Sequence, residues 1–425
     1  LLIISLFFLF YTFYKSEIYF DGKKSDYYSI YYIISGSILI LTIISFFLNQ
    51  KIKEYLIICT LSIVFTLYLY ETYLALKYEK SQIDKFTLLR QNNSESKLEF
   101  YENLKKKNEK TVLAVSPSSF LNEETRLFPL SGISNSKTIN CNENGYFSVH
   151  KSDRYGFNNP DSEWDEENIE YLLVGDSFAY GACVNPPDDI SNVLRILSNR
   201  KVLNIAYGGN GPLIEYASLK EFLNEKVKKV LWVYYEGNDQ SDLKRELKND
   251  VLRKYLKDNT FSQELKNKQN KVDILTKDKM DASIEDIFKY EINSKKNKNL
   301  SFAIIKFIKL YNLRSMIFKN SEPEPQNEFK KLLSLTKNLA EKNNSKLYFI
   351  YLPEYNHYKP FYNDTNYFAV KRILEELKIP LIDIHEEVFK KETNPRSLFP
   401  FELPGHYNVK GYKKIAEAIY RRTKN

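Results

Sequence analysis

The N-terminal part of the chain contains three long runs without a charged residue, at residues 1–14, 27–48 and 55–70. The second and third approach the roughly 20 residues that cross a hydrocarbon core of about 30 Å. A cleaved signal peptide would account for the first run alone. Buried helices of a soluble protein would normally carry a polar stripe. The pattern predicts three transmembrane helices with Tyr-rich interfacial ends. We expect the first helix to be truncated, because the sequence starts at Leu1 rather than Met.

A different pattern begins near residue 165, where short, continuous apolar runs alternate with helix-like stretches. Continuous apolar strands separated by amphipathic helices indicate a parallel sheet covered on both faces, the three-layer doubly wound α/β class. Ligand sites of such sheets form at the carboxyl ends of the strands. The predicted strands are residues 169–175, 201–206, 227–235, 346–352 and 379–384.

Three other segments lie outside this alternation. Residues 79–110 are rich in Lys, Glu, Asn and Ser, which predicts a helical stalk or linker. Residues 111–165 are turn-rich and indicate irregular structure packed on the larger domain. Residues 240–320 are Lys-rich and predict a helical insertion or a cap beside the site. The predicted organisation is therefore a membrane region at 1–78, a stalk, and an α/β domain at 111–425.

Composition and charge limit the classes of function that the chain can have. The chain has 425 residues, of which 43% are hydrophobic, enough for a sizeable core. A formal net charge of +8 would suit a nucleic-acid partner, but the Lys residues are spread among Asp and Glu and no binding motif accompanies them. We therefore expect a solvated basic surface and no nucleic-acid partner. The Lys and Arg residues flanking the apolar runs do not choose an orientation in the membrane.

The chain has three cysteines, and Cys59 lies inside the third apolar run. This leaves Cys141 and Cys183 as a possible pair, which is the arithmetic of one disulfide in an oxidising compartment. Two unrelated free thiols fit the sequence equally well. We predict that the two are bonded and that the α/β domain lies outside the cytoplasm.

Polar motifs follow the first three predicted strands. Gly175, Asp176 and Ser177 end the first, Gly208 and Gly209 lie in a Gly-rich turn after the second, and Asn238 follows the third. A Ser in this position can be an exposed nucleophile, or simply the N-cap of the next helix. The carboxyl ends of neighbouring parallel strands would gather these motifs in one pocket.

A further motif containing His406 precedes the final helix. Of the four histidines, His406 is the favoured general base, because His150, His357 and His385 lack a matching context. The turn at residues 208–211 is no phosphate loop, since no Gly-Lys-Ser/Thr follows. Asp383 and His385 have no clustered ligands around them and predict no metal site.

The order of these motifs resembles the SGNH hydrolase family, also called GDSL-type esterases, over about residues 165–425. The resemblance implies the flavodoxin-like SGNH fold, with Ser177 as nucleophile and His406 as its base. It further implies an oxyanion hole made by the Gly209 N–H, the Asn238 amide and the Ser177 N–H. It implies no metal and no cofactor.

Two departures from the family pattern stand out. The family usually places an Asp three residues before the His, and here that position is Leu403. Either Glu402 substitutes for it, or His406 works in a dyad oriented by a backbone carbonyl. Gly237 precedes Asn238 directly, where the family's Gly commonly stands two residues before the Asn. This shifts the turn but leaves the Asn available.

The expected function is a membrane-anchored SGNH-type serine ester hydrolase or O-acyltransferase. Its expected substrates are acyl esters, such as acetyl esters of carbohydrates or cell-envelope glycans, on the periplasmic or cell-surface side. Its other expected partner is the lipid bilayer. The alternative is a non-catalytic envelope scaffold or carbohydrate-binding protein that retains the fold, and Leu403 in the usual acid position motivates it.

Overall fold

The computed structural model describes residues 2–22, 25–92, 95–123, 126–294, 300–317, 323–359 and 362–424. It divides into two compact units. The helical unit contains Leu1–Tyr78 and Leu300–Lys319, and the α/β unit contains Glu79–Asn299 and Asn320–Asn425. The Lys-rich pattern predicts residues 300–320 as part of the insertion, whereas the structure groups Leu300–Lys319 with the N-terminal helices.

Eight strands form two sheets in the described residues. The strands are β1 (Thr111–Leu113), β2 (Lys137–Ile139), β3 (Val149–Lys151), β4 (Ile169–Gly175), β5 (Val202–Asn204), β6 (Val227–Tyr235), β7 (Lys346–Leu352) and β8 (Leu381–Asp383). The larger sheet is entirely parallel, in the order β5-β4-β6-β7-β8. This is the flavodoxin-like order, in which the first strand lies between the second and the third. The predicted fold class is confirmed.

The three longest strands, β4, β6 and β7, have the bounds that the sequence predicted. Their side chains are buried on both faces of the sheet, including Leu172, Leu173, Trp232, Phe349 and Ile350 at 0% exposure. Burial on both faces explains why these strands show as continuous apolar runs rather than as an alternating pattern.

Sixteen α-helices lie in the described residues. They are α1 (Leu2–Phe13), α2 (Ser25–Ser45), α3 (Gln50–Asn92), α4 (Lys97–Lys107), α5 (Ser177–Tyr180), α6 (Ile190–Ser198), α7 (Pro212–Phe222), α8 (Asp239–Glu246), α9 (Asp250–Lys257), α10 (Gln269–Ser294), α11 (Leu300–Ile308), α12 (Tyr311–Ile317), α13 (Asn327–Lys342), α14 (Thr365–Glu376), α15 (Ile384–Glu387) and α16 (Val409–Thr423). Helix α6 connects β4 to β5 on one side of β4, and α7 connects β5 to β6 on the other side of β4, so the two connections run in opposite directions across the sheet. Right-handed crossovers therefore put these helices on opposite faces. Helix α6 packs against α16, and α7 against α13, which completes the three layers.

The segment predicted as a stalk contains two helices. Helix α3 runs on to Asn92, and α4 begins with a capping box formed by Ser96 and Glu99. Leu98 and Tyr101 of α4 are buried, and α4 packs against β1. Strands β1, β2 and β3 form a small mixed sheet within the turn-rich region, where the pattern predicts irregular structure.

The first part of the Lys-rich insertion belongs to the core of the α/β unit. Leu243 of α8 and Leu252 and Tyr255 of α9 are fully buried. Val272 and Met280 of α10 are buried as well. The high Lys content reflects the exposed faces of these helices and gives no sign of the apolar faces that pack inward.

Three helices of the helical unit are long and apolar enough to cross a membrane. They cover Leu2–Tyr19, Tyr28–Ser45 and Gln50–Lys77, where a π-helical turn, Tyr14–Tyr19, extends α1. Their side chains leave large apolar surfaces uncovered, such as those of Phe7, Ile33 and Phe65. Exposing such surface to water is unfavourable by about 25 cal/mol per Å², so the helices match the predicted transmembrane region.

Candidate active site

The candidate site lies at the carboxyl ends of β5, β4 and β6, where the order of the strands reverses. The Gly208–Gly209 turn follows β5, Ser177 follows β4, and Asn238 follows β6. Strand β4 lies between the other two, so Ser177 occupies the middle position. In open α/β sheets this crevice is where ligands bind.

Ser177 is the first residue of the short helix α5. Asp176 precedes it in an extended conformation and caps the helix, because its carboxylate accepts the N–H of Phe178 at 2.8 Å. The capping role that the sequence left open for Ser177 thus belongs to Asp176. This leaves the hydroxyl of Ser177 to interact with another residue.

His406 connects that hydroxyl to a carboxylate. Its Nε2 lies 2.8 Å from Ser177 Oγ, and its Nδ1 lies 3.1 Å from Glu143 Oε2. The backbone N–H of His406 donates to the same carboxylate oxygen at 2.6 Å. Because an ionised carboxylate only accepts hydrogen bonds, Nδ1 carries the proton and Nε2 is left to accept the Ser177 hydroxyl. The three side chains form a Ser–His–Glu triad in geometry.

Glu143 lies in the loop between β2 and β3, and sequence reasoning missed it. A disulfide joins Cys141 to Cys183, with the Cα atoms 4.9 Å apart, so the predicted pairing is confirmed. Asn144 supports the same loop by donating to the Cys183 carbonyl at 2.9 Å. The predicted disulfide was the signal that could have found Glu143. Glu143 is two residues after Cys141, and the disulfide joins Cys141 to Cys183, which is six residues after Ser177.

The other candidate for the acid, Glu402, is not at the site. Its carboxylate is exposed and accepts a hydrogen bond from Asn394 at 3.0 Å. Gly405 leaves room for Glu143 instead, because a Cβ at this position would lie only 2.5 Å from Glu143 Oε2. The carboxylate next to His406 thus comes from another loop, and not from Glu402 or from the position of Leu403.

Aromatic rings limit the movement of the imidazole. The ring of Phe178 lies 4.7 Å from that of His406 and stacks on Tyr235 at 3.8 Å, centroid to centroid. Side-chain exposure of 21% for both His406 and Glu143 shows that the triad is open on one side. The edge of the triad is therefore accessible to solvent.

The Gly208–Gly209 peptide is held by a residue from a distant loop. Ser116 Oγ donates to the Gly208 carbonyl at 2.6 Å. Because C=O and N–H point in opposite directions across a trans peptide, this bond fixes the direction of the Gly209 N–H. Gly209 has φ +79°, and a Cβ there would lie 2.3 Å from Ser116 Oγ. The N–H groups of Ser177 and Gly209 donate to no other residue that the structure describes.

Asn238 is held by the helix that follows it. Its Nδ2 donates to Asp242 at 3.0 Å, and Asp242 also pairs with Arg245. One amide hydrogen of Asn238 is used in this way, and the second remains for another acceptor. Its Oδ1 is buried and has no partner among the described residues.

Several carboxyl groups are buried behind the site. Burial raises the pKa of Asp176 to about 6 and the pKa of Glu246 to about 8. Burial also raises the pKa of Glu215 and Asp239 well above their ordinary values. Glu246 accepts the N–H groups of Gly211 at 2.6 Å and Leu213 at 2.9 Å at the start of α7. Its function in the fold is to cap the helix that follows the Gly208–Gly209 turn.

The remaining histidines are engaged elsewhere. His150 is buried against Tyr180 OH at 3.0 Å, and burial lowers its pKa to about 4. His357 pairs with Glu236 at 2.8 Å, and His385 contacts Tyr358 at 3.0 Å. Within the described residues, one group has the proximity of metal ligands: Cys141, Cys183 and His406. Its two sulfurs are bonded to one another and are therefore not thiolate ligands.

No protein-family model and no curated protein matches the sequence. Solved structures do match, each over about 60% of this chain. One is a protein from Desulfitobacterium hafniense assigned to the G-D-S-L lipolytic family, at 15% identity, 99% of its length and a TM-score of 0.34. Another is a lipase/acylhydrolase from Enterococcus faecalis, at 15% identity, 95% of its length and a TM-score of 0.34. A third is an acetyl-xylooligosaccharide esterase from Geobacillus, at 14% identity, 97% of its length and a TM-score of 0.33. These values are too low to carry an argument about activity, which therefore rests on the geometry of the site.

Proposed function

We propose that the protein is a membrane-anchored serine ester hydrolase or O-acyltransferase that works through an acyl-enzyme on Ser177. The observation that carries the proposal is the continuous chain from Ser177 Oγ through His406 to Glu143, at 2.8 and 3.1 Å. A hydroxyl becomes a useful nucleophile at neutral pH when a positioned base takes its proton. The carboxylate orients that base and stabilises the imidazolium that forms.

In the first step, Ser177 Oγ attacks the ester carbonyl carbon and its proton passes to His406 Nε2. The carbonyl π-bond opens, and the negative charge develops on the former carbonyl oxygen. The N–H groups of Ser177 and Gly209 and the second amide hydrogen of Asn238 are the donors for this oxyanion. When the carbonyl re-forms, the bond to the alcohol breaks and the alcohol leaves with the proton from His406. The acyl group remains on Ser177.

In the second step, His406 takes a proton from an acceptor hydroxyl, which attacks the acyl carbon. When the carbonyl re-forms, the bond between the acyl carbon and Ser177 Oγ breaks, and His406 returns the proton to Ser177 Oγ. Water as acceptor gives hydrolysis, and a sugar hydroxyl gives O-acyl transfer. The open side of the triad admits either. We propose acyl esters, acetyl esters among them, of carbohydrates or cell-envelope glycans as the substrate class.

The proposed location is the membrane, with the α/β unit on the extracytoplasmic side. Three helices long and apolar enough to span a bilayer support the anchoring. The Cys141–Cys183 disulfide supports the orientation, because such bonds persist in oxidising compartments. A membrane-impermeant maleimide on intact cells tests it. A cysteine introduced at the exposed Ile274 of α10 is labelled if the orientation is right, and is protected until lysis if it is wrong.

Glu143 argues against the alternative of a non-catalytic scaffold or carbohydrate-binding protein. That alternative was motivated by the absence of an acid at Leu403, and Glu143 now occupies the corresponding side of His406. A protein that only bound glycans would have no need of an oriented Ser–His–Glu chain. No other observation favours a scaffold function.

Turnover of small acetyl esters by the full chain tests the proposal, with and without sugar acceptors. We expect Ser177→Ala to abolish turnover and Ser283→Ala, an exposed serine on α10, to leave it unchanged. A lower yield of acetate with an equal gain of acetylated sugar identifies a transferase. Full activity in Ser177→Ala would refute the mechanism.

A further inference from the structure

Helices α11 and α12 come from the middle of the chain, between α10 and α13, yet they belong to the helical unit. They lie more than 200 residues after α3 in sequence. The Lys-rich pattern predicted an insertion in the α/β domain for this segment, whereas the structure shows contacts with the N-terminal helices.

The first contact is made by Glu71, which lies within the apolar span Gln50–Lys77. Its side chain is fully buried, and its carboxylate accepts the N–H of Asn312 at 2.9 Å and the N–H of Leu313 at 2.8 Å. The Asn312 side-chain amide donates to it at 2.9 Å as well. An acidic residue in a membrane span needs polar partners in the protein. Here α12 supplies three donors.

Two further contacts join α11 and α12 to the same helices. Tyr68 OH donates to the Ile308 carbonyl at 3.0 Å, and its ring lies 5.3 Å from that of Phe307. Arg314 donates to Tyr31 OH at 2.7 Å. Both spans, α2 and α3, thus contact the segment through hydroxyl groups.

The outer face of α11 is apolar and uncovered. Ile304, Ile305 and Ile308 occupy one side of the helix, by their i, i+1, i+4 spacing, and about half or more of each is exposed. Lys306 is on the opposite side, with its ammonium group 5.0 Å from the ring of Tyr311. An apolar face beside a basic, aromatic face is typical of helices that lie in the membrane interface.

The depth of the segment agrees with an interfacial position. Glu71 precedes the end of its span at Lys77 by six residues, which is about 9 Å along a helix. Helix α12 is therefore held near one end of a membrane span, where headgroups and acyl chains meet. Helix α11 contacts the span of α3 through Ile308 and Phe307, so its exposed isoleucines lie beside an apolar span.

We propose that Leu300–Ile317 is a fourth membrane-associated segment, an interfacial helix pair whose isoleucine face contacts lipid acyl chains and whose second helix is fixed by Glu71. The inference rests on the proposed membrane anchoring of the N-terminal helices. It means that the chain returns to the bilayer between β6 and β7.

Spin-label accessibility on the full chain in phosphatidylcholine nanodiscs tests the inference. Cys59→Ser removes the one free cysteine of the described residues, and single cysteines then carry a nitroxide at Ile308, Ile63 or Ile274. Ile308 is the test position, Ile63 is the reference in a membrane span, and Ile274 is the reference on the α/β unit. The three side chains are matched in exposure, at 60%, 60% and 61%. We expect the oxygen-to-nickel accessibility ratio at Ile308 and at Ile63 to exceed that at Ile274, because apolar oxygen concentrates in hydrocarbon whereas a polar nickel chelate stays in water.

The outcomes separate the inference from the anchoring. A water-like ratio at Ile308 with a lipid-like ratio at Ile63 would overturn the inference alone. Water-like ratios at both would overturn the anchoring as well.

The function of Glu71 is read from the mobility of the label at Ile308. Glu71→Ala should increase it, while Glu71→Gln, which keeps an acceptor oxygen, should increase it less. Equal mobility in all three proteins would rule out Glu71 as the fixing residue.

Discussion

Glu143 and His406 are 263 positions apart in sequence, and yet Glu143 Oε2 accepts two hydrogen bonds from His406, one from the ring and one from the backbone. The side chain of a single residue thus fixes both the position and the tautomer of the proposed base. The fold brings this residue to the site through a disulfide-linked loop rather than through the motif that carries the histidine.

Glu143→Gln should lower kcat for an acetyl ester, because a glutamine amide can present an N–H to His406 and favour the unproductive tautomer. We expect a loss on the order of 10²- to 10⁴-fold, with KM much less affected. Glu402→Gln is the matched control and should keep kcat within about twofold, since an exposed carboxylate in a loop contributes little. Steady-state kinetics of the two variants shows which of the two carboxylates orients His406. Equal losses, or a loss in the control alone, would exclude Glu143 as the orienting acid.

Reduction of the Cys141–Cys183 disulfide should lower activity by releasing the loop that holds Glu143. Cys141→Ser tests this without a reductant and should lose no more activity than Glu143→Gln loses. If the disulfide acts through Glu143, then the double variant should be no worse than Glu143→Gln alone, because residues that act as a unit are non-additive. Additive losses of kcat in the double variant would show that the disulfide acts by another route.

Ser116→Ala should lower kcat with little change in KM, because Ser116 positions the Gly209 N–H without contacting the substrate. Removing a whole oxyanion donor lowers turnover about 10²- to 10³-fold, so mispositioning one should give a smaller loss, about 10-fold. Ser116→Thr keeps the hydroxyl and should restore part of the activity. A change in KM with unchanged kcat would indicate that Ser116 contributes to binding instead.

Glu246 makes the stability of the α/β unit depend on pH. Its pKa is about 8 in the folded protein, against an ordinary value of 4.5. Between these values the folded state holds more protons than the unfolded state, so stability falls as pH rises, by up to about 1.4 kcal/mol per pH unit for one proton. Below pH 4.5 the contribution is fully present, and it is lost as pH rises through 8.

Urea unfolding followed by tryptophan fluorescence measures this dependence, because both tryptophans, Trp164 and Trp232, lie in the α/β unit. Glu246→Gln should reduce the slope between pH 5 and 8 by up to the share of one proton, because the pKa values of Asp176, Glu215 and Asp239 are raised as well. It should do so even if it lowers the stability itself, since it loses an acceptor for the N–H groups of α7. Glu225→Gln, an exposed residue, should leave the slope unchanged. An unchanged slope in Glu246→Gln would show that this carboxyl is not the group that titrates.

The sequence predicted those features that local patterning determines. Strands β4, β6 and β7 were predicted to the residue because both of their faces are buried. Ser177, Gly209 and Asn238 were expected at one edge of the sheet because each motif follows a strand. The functions of Gly209 and Asn238 in an oxyanion hole came from the family resemblance, and the functions of all these residues and of His406 stay predictions. Glu143 could not be predicted from a pattern, because its position depends on a disulfide and on the absence of a side chain at Gly405. The contacts of Leu300–Ile317 with the N-terminal helices could not be predicted for a related reason. The partner of this segment, Glu71, directly follows the third apolar run, and the pattern at that position gives no sign of a buried contact.

The most direct test of the central claim is the site at which a serine-directed fluorophosphonate reacts with the full chain. Mass spectrometry of the digested protein should find one adduct, on Ser177, and labelling should disappear in Ser177→Ala. His406→Asn should slow it on the order of 10²- to 10⁴-fold, because the base no longer takes the proton. An adduct on another serine, or undiminished labelling of Ser177→Ala, would contradict the proposed acyl-enzyme mechanism.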